Sequence, residues 1–344
     1  MEKLIEAFII FSAIVCSYAL CIILHEAGHL CMGKLTGYTM VSFRIGSVKL
    51  YKKHGKWVLA REKIPGTLGQ CIMLPPISDE PEKTPMLPYH LGGGFFNVLT
   101  AVVALPFCIW STNIYVREIF ILLFAISLGM ALINLVPAKI ITPNDGYNMK
   151  LALKNPADRK AMYQILQITG NPEQSLGEMP DSFFEYDEES EYAATMKMLK
   201  GYRHLDKGEL EEAELLFRQA AVNDEKSMKY YRLEASKELL FCMILRKAPR
   251  EEADEVFNDE LQEYLKKSSA YSSSSLRVLY AYDKLMTGDV RKADEEYGSL
   301  LKLLSRLSPG DAKMEKKLLN NMEKLTTSQA SGFAKNLECS SEDI

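Results

Sequence analysis

Two histidines and a glutamate near the N-terminus have the spacing of a hydrolytic zinc site. His25, Glu26 and His29 form the pattern H-E-x-x-H. On a helix, residues four apart lie on one face, so both imidazoles can bind the same zinc ion. The glutamate then lies beside the metal, where it can act as a general base toward water. Because residues 7–24, which carry no charge, lead directly into this pattern, the sequence indicates hydrolysis of peptide bonds inside a membrane.

A hydrolytic zinc site needs a third protein ligand, and we predict that Asp145 supplies it. Catalytic zinc takes three protein ligands and leaves one position open. Asp145 lies in the run Thr-Pro-Asn-Asp-Gly of residues 142–146, just after the third apolar segment. Proline and glycine interrupt a helix there, and irregular backbone at membrane depth is tolerated where it is buried in protein or lines a cavity. Taken alone, the same run is also typical of an ordinary surface turn.

Other candidate ligands have less support. Cys21 precedes the first histidine of the motif by one helical turn, so a closed structural site of one cysteine and two histidines is an alternative. That alternative leaves Glu26 without a role. His90, at the start of the second apolar segment, is an additional candidate ligand, whereas His54 and His204 lie in a predicted turn and a predicted repeat helix and are not expected to reach the metal.

Three apolar segments are long enough to cross a membrane. They cover residues 4–30, 91–110 and 119–136, and about 18–20 residues at about 1.5 Å each span a hydrocarbon core of about 30 Å. Residues 1–6 have mixed charge, and no small-residue cleavage pattern ends the first segment, so we expect a retained helix and not a cleaved signal. Buried core helices are the alternative for each segment.

The distribution of positive charge predicts the orientation of these segments. Nine lysines and arginines lie between the first and second segments, whereas the link between the second and the third contains only one, Arg117. Cytoplasmic loops carry an excess of lysine and arginine. We therefore expect a multi-pass protein of a bacterial cell membrane, with the N-terminus outside and the C-terminal domain in the cytoplasm.

The region between the first two segments is predicted to contain a small cytoplasmic β-hairpin at residues 41–60. Apolar residues lie on both sides of a turn signal at residues 53–56. Residues 64–70 are too rich in glycine and proline for regular structure, and prolines also fill residues 75–88.

The second half of the chain is charged and contains a repeated helical pattern at residues 193–326. Three evenly spaced alanines are each followed four residues later by an aromatic residue, as in stacked helical hairpins. The pairs are Ala213 with Phe217, Ala253 with Phe257, and Ala293 with Tyr297. The pattern resembles tetratricopeptide repeats, although the repeat is longer than usual, and an irregular helical bundle is the alternative. Residues 151–192 are predicted to form a helical connector and acidic linker, and residues 327–344 a disordered tail.

Composition excludes two other classes of protein. The net charge is −4 and no basic patch is present, so we expect no nucleic-acid partner. The seven cysteines lack the spacing of a disulfide framework, which favours a reducing environment for the polar part of the chain.

The first 150 residues resemble the site-2 protease group of intramembrane zinc metalloproteases, peptidase family M50. The family's first core helix carries H-E-x-x-H, and its second carries Gly-x-x-x-Asn, matched here by residues 93–97. Its third core helix carries Asn-Leu-x-Pro followed by Asp-Gly, matched by residues 134–137 and 145–146. The resemblance implies an α-helical membrane protein with a three-transmembrane-helix metalloprotease core in residues 1–150, followed by an all-α helical-repeat domain.

The resemblance also implies roles for individual residues. The two motif histidines and Asp145 would hold zinc, and Glu26 would be the general base. Asn97 and Asn144 would bind the substrate, Asn97 by holding its backbone or the oxyanion. The substrate would be a single-pass membrane protein or peptide within the lipid bilayer, and the helical repeats would recruit that substrate or a cytoplasmic partner.

The chain departs from the family pattern in several places. Gly94 stands where the family often has proline, and the interval of residues 137–145 is longer than usual. The order Pro-Asn-Asp-Gly replaces Asn-Pro-Asp-Gly, only three spans are predicted where the family often has six, and no PDZ or CBS domain is recognisable.

The sequence therefore predicts a zinc-dependent intramembrane endopeptidase. A catalytically inactive membrane scaffold that binds partners through its repeats is the main alternative, and the intact H-E-x-x-H pattern argues against it. A metal sensor or transporter is a further alternative, but the polar residues within the apolar segments are few and clustered.

Overall fold

The computed structural model describes residues 1–53, 55–62, 67–139, 143–222 and 229–339, with side chains for all of these except residues 2 and 325–339. The chain divides into two compact units. The N-terminal unit contains Met1–Asn171 and Asp187–Tyr192. The C-terminal unit contains Pro172–Tyr186 and Ala193–Ile344.

Three long apolar helices and two shorter ones form the frame of the N-terminal unit. They are α1 (Glu2–Leu35), α2 (Met86–Trp110), α3 (Ile114–Leu135), α4 (Asp145–Lys154) and α5 (Pro156–Thr169). By length and composition, Lys3–Leu35, Pro81–Trp110 and Ile114–Leu135 are long and apolar enough to cross a membrane. Large apolar side chains such as Phe8, Val102 and Ile133 are exposed along them, which is the surface that lipid would cover.

The helix boundaries follow from local sequence. α2 begins at Met86, several residues before the predicted span. It can include Pro88 because this residue lies within the first turn, where backbone N–H groups have no helical partner. Asn113 caps α3, since its side chain accepts hydrogen bonds from the backbone N–H of Tyr115 and Val116 at 3.0 and 3.3 Å. The predicted spans are thus helical except for Val136 at the end of the third, and all three helices begin before the predicted spans.

A four-stranded antiparallel sheet lies between α1 and α2 in the sequence. Its strands are β1 (Thr39–Ile45), β2 (Val48–Lys53), β3 (Lys56–Arg61) and β4 (Gly69–Leu74), in the order β3-β2-β1-β4. The predicted hairpin at residues 41–60 was therefore incomplete. Its first arm is divided by a turn at Gly46, whose φ of 57° favours glycine. β4 was missed because the glycines and prolines before it indicated irregular structure.

The sheet and the helices share one apolar core. It includes Tyr38, Cys71 and Met73 near the sheet, and Met86 and Tyr89 on α2. α4 and α5 pack against the same core through a set of buried residues that comprises Leu151, Ala152, Met162 and Tyr163. The N-terminal unit also retains Asp187–Tyr192, because the buried Asp158 carboxylate on α5 accepts hydrogen bonds from Ser190 Oγ and the Glu191 N–H, both at 2.8 Å.

Helices make up the regular structure of the C-terminal unit. They are α6 (Ala193–Lys207), α7 (Leu210–Ala220), α8 (Lys229–Leu245), α9 (Arg250–Val256), α10 (Asp259–Ser268), α11 (Ser273–Tyr282), α12 (Val290–Leu304) and α13 (Pro309–Cys339). Since α13 continues to Cys339, residues 327–339 of the predicted disordered tail are helical, as their alanine, glutamine, lysine and leucine content permits. Residues 340–344 lie outside the described part of the chain.

Each of the three predicted repeats forms a pair of helices with a left-handed residue at the turn. The turn residues are Gly208 (φ 90°), Lys247 (φ 60°) and Gly288 (φ 75°). The evenly spaced alanines, Ala213, Ala253 and Ala293, are all buried. α10 and a π-helical turn at Asp283–Thr287 interrupt the regularity. The resemblance to tetratricopeptide repeats stays a prediction.

Candidate metal centre

Three side chains of the N-terminal unit converge on one point. The Nε2 atoms of His25 and His29 lie 3.1 Å apart, and each lies 3.3 Å from Oδ2 of Asp145. Both histidines are 7% exposed. These three residues are the ones that could hold a metal ion within the described part of the chain. The two ligands predicted from the helical motif and the one predicted from a distant segment are therefore brought together.

Helix α1 can present both histidines to α2 because glycines remove the side chains between the two helices. A Cβ atom on Gly28 would lie 2.2 Å from the carbonyl oxygen of Gly92, so the two backbones are in direct contact. A Cβ on Gly93 would lie 2.5 Å from Nε2 of each histidine. Real Cβ atoms do not approach this closely, so the site requires glycine at these positions.

The third candidate ligand, Asp145, is positioned by its neighbour, Asn144. The Asn144 amide donates to the carbonyls of Ile133 and Val136 at 2.6 and 2.7 Å, at the end of α3. Its Oδ1 accepts from the N–H groups of Ala138 and Tyr147 at 3.0 and 2.9 Å. Because these four bonds use the hydrogen-bonding capacity of the amide, Asn144 has none left for a substrate. We therefore assign Asn144 to the framework of the site, in place of the predicted substrate contact.

Asp145 is the first residue of α4, and its side chain is charged at neutral pH. Gly146 allows the start of α4 to lie directly against the end of α3, since a Cβ there would lie 2.2 Å from the carbonyl oxygen of Leu135. Burial would raise the pKa of Asp145, but the charge of His29 and hydrogen bonds from the surrounding histidines hold that pKa well below its usual range. The side chain is therefore a carboxylate at neutral pH.

Groups on α2 contact the outer side of the converging residues. His29 Nδ1 lies 2.8 Å from the carbonyl oxygen of Tyr89, and His25 Nδ1 lies 3.1 Å from Nδ2 of Asn97. His90 Nδ1 lies 3.6 Å from Oδ1 of Asp145. Asn97 is predicted to contact the substrate, but in the structure its side chain faces His25.

Glu26 lies beside the three converging residues and is not one of them. Its side chain is 8% exposed, and it is absent from the set of potential ligands among the described residues. The start of β4 contacts it, because a Cβ on Gly69 would lie 2.3 Å from Glu26 Oε1. Burial, and then the charge of Glu26, raises the pKa of the Cys71 thiol on β4 to about 12. Glu26 therefore faces the sheet, next to the three candidate ligands.

The remaining candidate ligands lie elsewhere. The Cys21 sulfur is 3.2 Å from Ser127 Oγ on α3, so it faces away from the histidines toward another helix. His204 belongs to the C-terminal unit, where its Nδ1 lies 2.6 Å from Glu209. His54 lies outside the described residues. The alternative of a closed site with one cysteine and two histidines therefore has no support in the geometry.

Arg44 is a buried charged residue near the site that sequence reasoning did not single out. It lies on β1 with 1% exposure, and its Nη1 donates to the carbonyls of Gly46 and Thr67 at 2.7 and 3.2 Å. Burial lowers the pKa of Arg44, and the charges of Glu62 and Glu26 partly offset this effect. A charged residue in a predicted amphipathic strand is typical of the solvent face, so the sequence carries no signal of this burial.

Comparisons of the chain with known protein families, with curated proteins and with solved structures give no match. The geometry of the site is therefore the basis for any assignment of function.

Proposed function

We propose that this protein is a zinc-dependent intramembrane endopeptidase, in which His25, His29 and Asp145 hold the metal and Glu26 is the general base. One observation carries the proposal. Ligand atoms of two buried histidines and of the part-buried Asp145, from two separate parts of the chain, lie 3.1–3.3 Å from one another, and the histidines are on a helix apolar enough to cross a membrane. A carboxylate that is not a ligand lies next to them.

The donor set agrees with zinc. Two imidazoles and one carboxylate are the ligands of several zinc hydrolases, which keep one further position open. Zinc bonds of about 2.0–2.1 Å in a tetrahedron separate the ligand atoms by about 3.3 Å. The three separations in the structure, 3.1, 3.3 and 3.3 Å, agree with this value. Within the described residues, no fourth histidine, cysteine or carboxylate joins the set, which favours a catalytic site over a closed structural one.

The protein groups around the metal would carry the proton transfers. A zinc ion bound here would supply Lewis acidity toward the attacking water and the scissile carbonyl. Glu26 would accept a proton from the water and deliver it to the leaving amine nitrogen. The buried position of the carboxylate keeps bulk water away from it and strengthens its electrostatic interactions.

The substrate would bind as an extended segment. A helix hides its carbonyl groups in its own hydrogen bonds, so a transmembrane substrate must unwind locally before attack. β4 pairs with β1 along one edge, and no described strand pairs with its other edge. The start of β4 contacts Glu26 through Gly69, so an unwound segment paired with that free edge would lie close to the general base.

The proposed orientation has the N-terminus outside and the region of residues 36–80, like the C-terminal unit, in the cytoplasm. The excess of lysine and arginine between the first two apolar helices supports it. The C-terminal unit would then recruit a membrane substrate or a cytoplasmic regulator. Reporter fusions at Lys53 and Lys317 should both give cytoplasmic signals, and a fusion at Thr112 an external one; an external signal at Lys317 would contradict this orientation.

Glu26→Gln tests the enzyme proposal directly. Removing a general base typically lowers the rate by about 10²–10⁴, while the metal ligands stay in place. Full-length protein would be purified in detergent for zinc analysis and co-expressed with epitope-tagged single-pass membrane proteins for cleavage. We expect about one zinc per chain in both the original protein and Glu26→Gln, with cleavage nearly abolished only in the variant.

Glu6→Gln, on the same helix but outside the site, is the matched control and should cleave normally. Undiminished cleavage by Glu26→Gln would exclude Glu26 as the base. Absence of zinc from the original protein would favour the alternative of a membrane scaffold.

A further inference from the structure

We propose that α2 is the helix that orients the metal ligands: it contributes no ligand, but it provides a polar partner for each of the three. The partners are the Tyr89 carbonyl for His29, the Asn97 amide for His25 and the His90 ring for Asp145. This inference rests on the proposed function, because it assigns the roles of α2 toward a bound metal. It also replaces the predicted role of Asn97 as a substrate contact.

The contact between His29 and Tyr89 determines which ring nitrogen is free to bind a metal. The two atoms, Nδ1 and the carbonyl oxygen, lie 2.8 Å apart. A carbonyl oxygen can only accept a hydrogen bond, so Nδ1 must carry the proton. In the neutral ring the lone pair is then on Nε2, the atom that faces His25 and Asp145.

The same requirement at His25 determines the orientation of the Asn97 amide. His25 also faces the cluster through Nε2, so its Nδ1 must carry the proton and donate it. The Asn97 atom 3.1 Å away is assigned as Nδ2, a donor, whereas Oδ1 of this fully buried side chain has no hydrogen-bond partner. The two ends of an amide are interchangeable in shape. With the amide reversed, Oδ1 accepts from His25 Nδ1, so that the contact pairs a donor with an acceptor.

His90 acts on the carboxylate ligand. Asp145 directs Oδ2 toward both histidines of the motif, and its other oxygen, Oδ1, lies 3.6 Å from His90 Nδ1. His90 is not among the residues whose ligand atoms lie within reach of one common point. A ring nitrogen on the outer oxygen favours binding of the metal through the inner one. The sequence left His90 as an additional ligand candidate, and the geometry makes it a partner of a ligand.

One helix can contact all three ligands because of its position and its anchoring. Tyr89, Gly93 and Asn97 follow at intervals of four residues and so share one face of α2. The middle residue has no side chain, which brings the helix within contact distance of both Nε2 atoms. The Tyr89 hydroxyl donates to the carbonyl of Cys71 on β4 at 2.8 Å, and its ring stacks on Tyr38 at 5.3 Å. These contacts fix the depth and rotation of α2 against the sheet.

The test measures zinc affinity, which does not depend on turnover. Full-length protein in detergent would be titrated with zinc in competition with a chromophoric chelator. Loss of an outer partner typically lowers metal affinity by about 10–100-fold. We expect Asn97→Ala and His90→Ala each to weaken zinc binding by this factor. Asn97→Asp should retain near-original affinity, because a carboxylate oxygen can accept from His25 Nδ1.

Thr100→Ala is the matched control on the same helix. Its hydroxyl donates to the Phe96 carbonyl at 2.8 Å and does not contact a ligand, so zinc affinity should not change. Equal affinity in Asn97→Ala and Thr100→Ala, or affinity as low in Asn97→Asp as in Asn97→Ala, would overturn the inference. If Asn97→Ala does not fold, judged by helicity and gel filtration, His90→Ala tests the same inference through the other type of ligand.

The outcomes separate the inference from the proposed function. An original protein that binds no zinc would overturn the proposed function and with it the orienting role. If the original protein binds zinc and the affinity is unchanged in Asn97→Ala and His90→Ala, only the orienting role is overturned.

Discussion

Each unit of this chain buries a cluster of polar side chains, and the two clusters differ in how their charges are arranged. In the N-terminal unit, His25, His29 and Asp145 direct their atoms Nε2, Nε2 and Oδ2 at one another. In the C-terminal unit, a cluster that we call the ionic network pairs cations with anions. It contains Glu234, Lys237, Glu238, Arg277 and Glu315.

The ionic network holds several helices together. Arg277 on α11 donates from Nε to Glu315 on α13 and from Nη2 to Glu238 on α8, both at 2.8 Å. Its guanidinium also lies over the Phe241 ring at 4.0 Å. Lys237 on α8 donates to Glu234 at 2.9 Å and belongs to the same set of fully buried side chains. The network therefore places each buried cation directly against carboxylates, as buried charges in a structural role require.

The comparison shows that burial and charge do not by themselves indicate a functional site. Paired opposite charges need nothing further, and their removal affects the fold. Ring nitrogens and a carboxylate oxygen that face one another need a proton or a metal cation between them. The distinction predicts that substitutions in the two clusters have opposite consequences for metal content and for stability.

The largest expected effect is the loss of zinc from His29→Ala. Removing one of three ligands leaves two, which cannot hold the ion in a hydrolytic site. We expect zinc content to fall from about one per chain to near zero, with helicity and gel-filtration behaviour unchanged. His204 pairs with Glu209 in the C-terminal unit, so the control variant His204→Ala should keep its zinc. Full zinc content in His29→Ala would mean that this cluster does not bind the metal.

Arg277→Leu should have the opposite result. It leaves Glu238 and Glu315 buried without their cation, and breaking a buried ion pair typically costs about 3–5 kcal/mol. Denaturant unfolding followed through the helical signal should show destabilisation of the C-terminal unit, while zinc content stays at the original level. Arg306→Leu, at an exposed position, should change stability little. A variant Arg277→Leu of original stability would show that the network does not stabilise the fold.

Gly93→Ala should have an intermediate effect, confined to the metal. The new methyl group would lie 2.5 Å from Nε2 of both histidines, so the rings must move apart. We expect zinc affinity to fall on the order of tenfold or more, as when an outer partner is lost. Gly129→Ala on α3 has nothing within 4 Å of the new Cβ and should bind zinc normally. Similar zinc affinities in the two variants would show that α2 does not lie in close contact with His25 and His29.

The smallest expected effect concerns the pH dependence of the C-terminal unit. Burial and then the charge of Asp283 raise the pKa of Glu296 to about 8, whereas an unfolded glutamate titrates at about 4.3. Between these values the folded chain holds a proton that the unfolded chain has lost. The stabilisation is therefore complete below the unfolded pKa and decreases as the pH rises toward the folded one. Denaturation midpoints measured between about pH 5 and 8 should fall less steeply in Glu296→Gln. Glu295→Gln, at the exposed neighbouring position, should keep the original slope.

The parts of the site that follow from local spacing could be predicted from the sequence. His25 and His29 lie on one helical face whatever the tertiary structure, and Asp145 lies between a proline and a glycine just after the third apolar segment. The three apolar segments are helices because their length and composition permit little else. These predictions depend on short-range geometry, which sequence patterns record.

The missed parts depend on contacts between distant segments. The Tyr89 carbonyl has no signal in the sequence, because every residue has a carbonyl and only its position makes it a partner of His29. Asn144 belongs to the framework because two carbonyls at the end of α3 come within reach of its amide. β4 was missed because glycine weakens a strand, yet Gly69 is needed where the strand meets Glu26. In each case tertiary contact decides the role.

The hydrogen bonds of Asn144 give the third ligand a mechanical independence from the chain that precedes it. They tie the first turn of α4 directly to the carbonyls of Ile133 and Val136, so the position of Asp145 is set by the end of α3. Val136 and Asn144, on either side of the interval, are thus joined by a direct hydrogen bond. In general, doubling the length of a chain segment whose ends are joined costs only about 0.6 kcal/mol in closure entropy. An unusually long interval before the aspartate is thus compatible with an undisturbed position of Asp145, and changes in the length of that interval need not move the candidate metal centre.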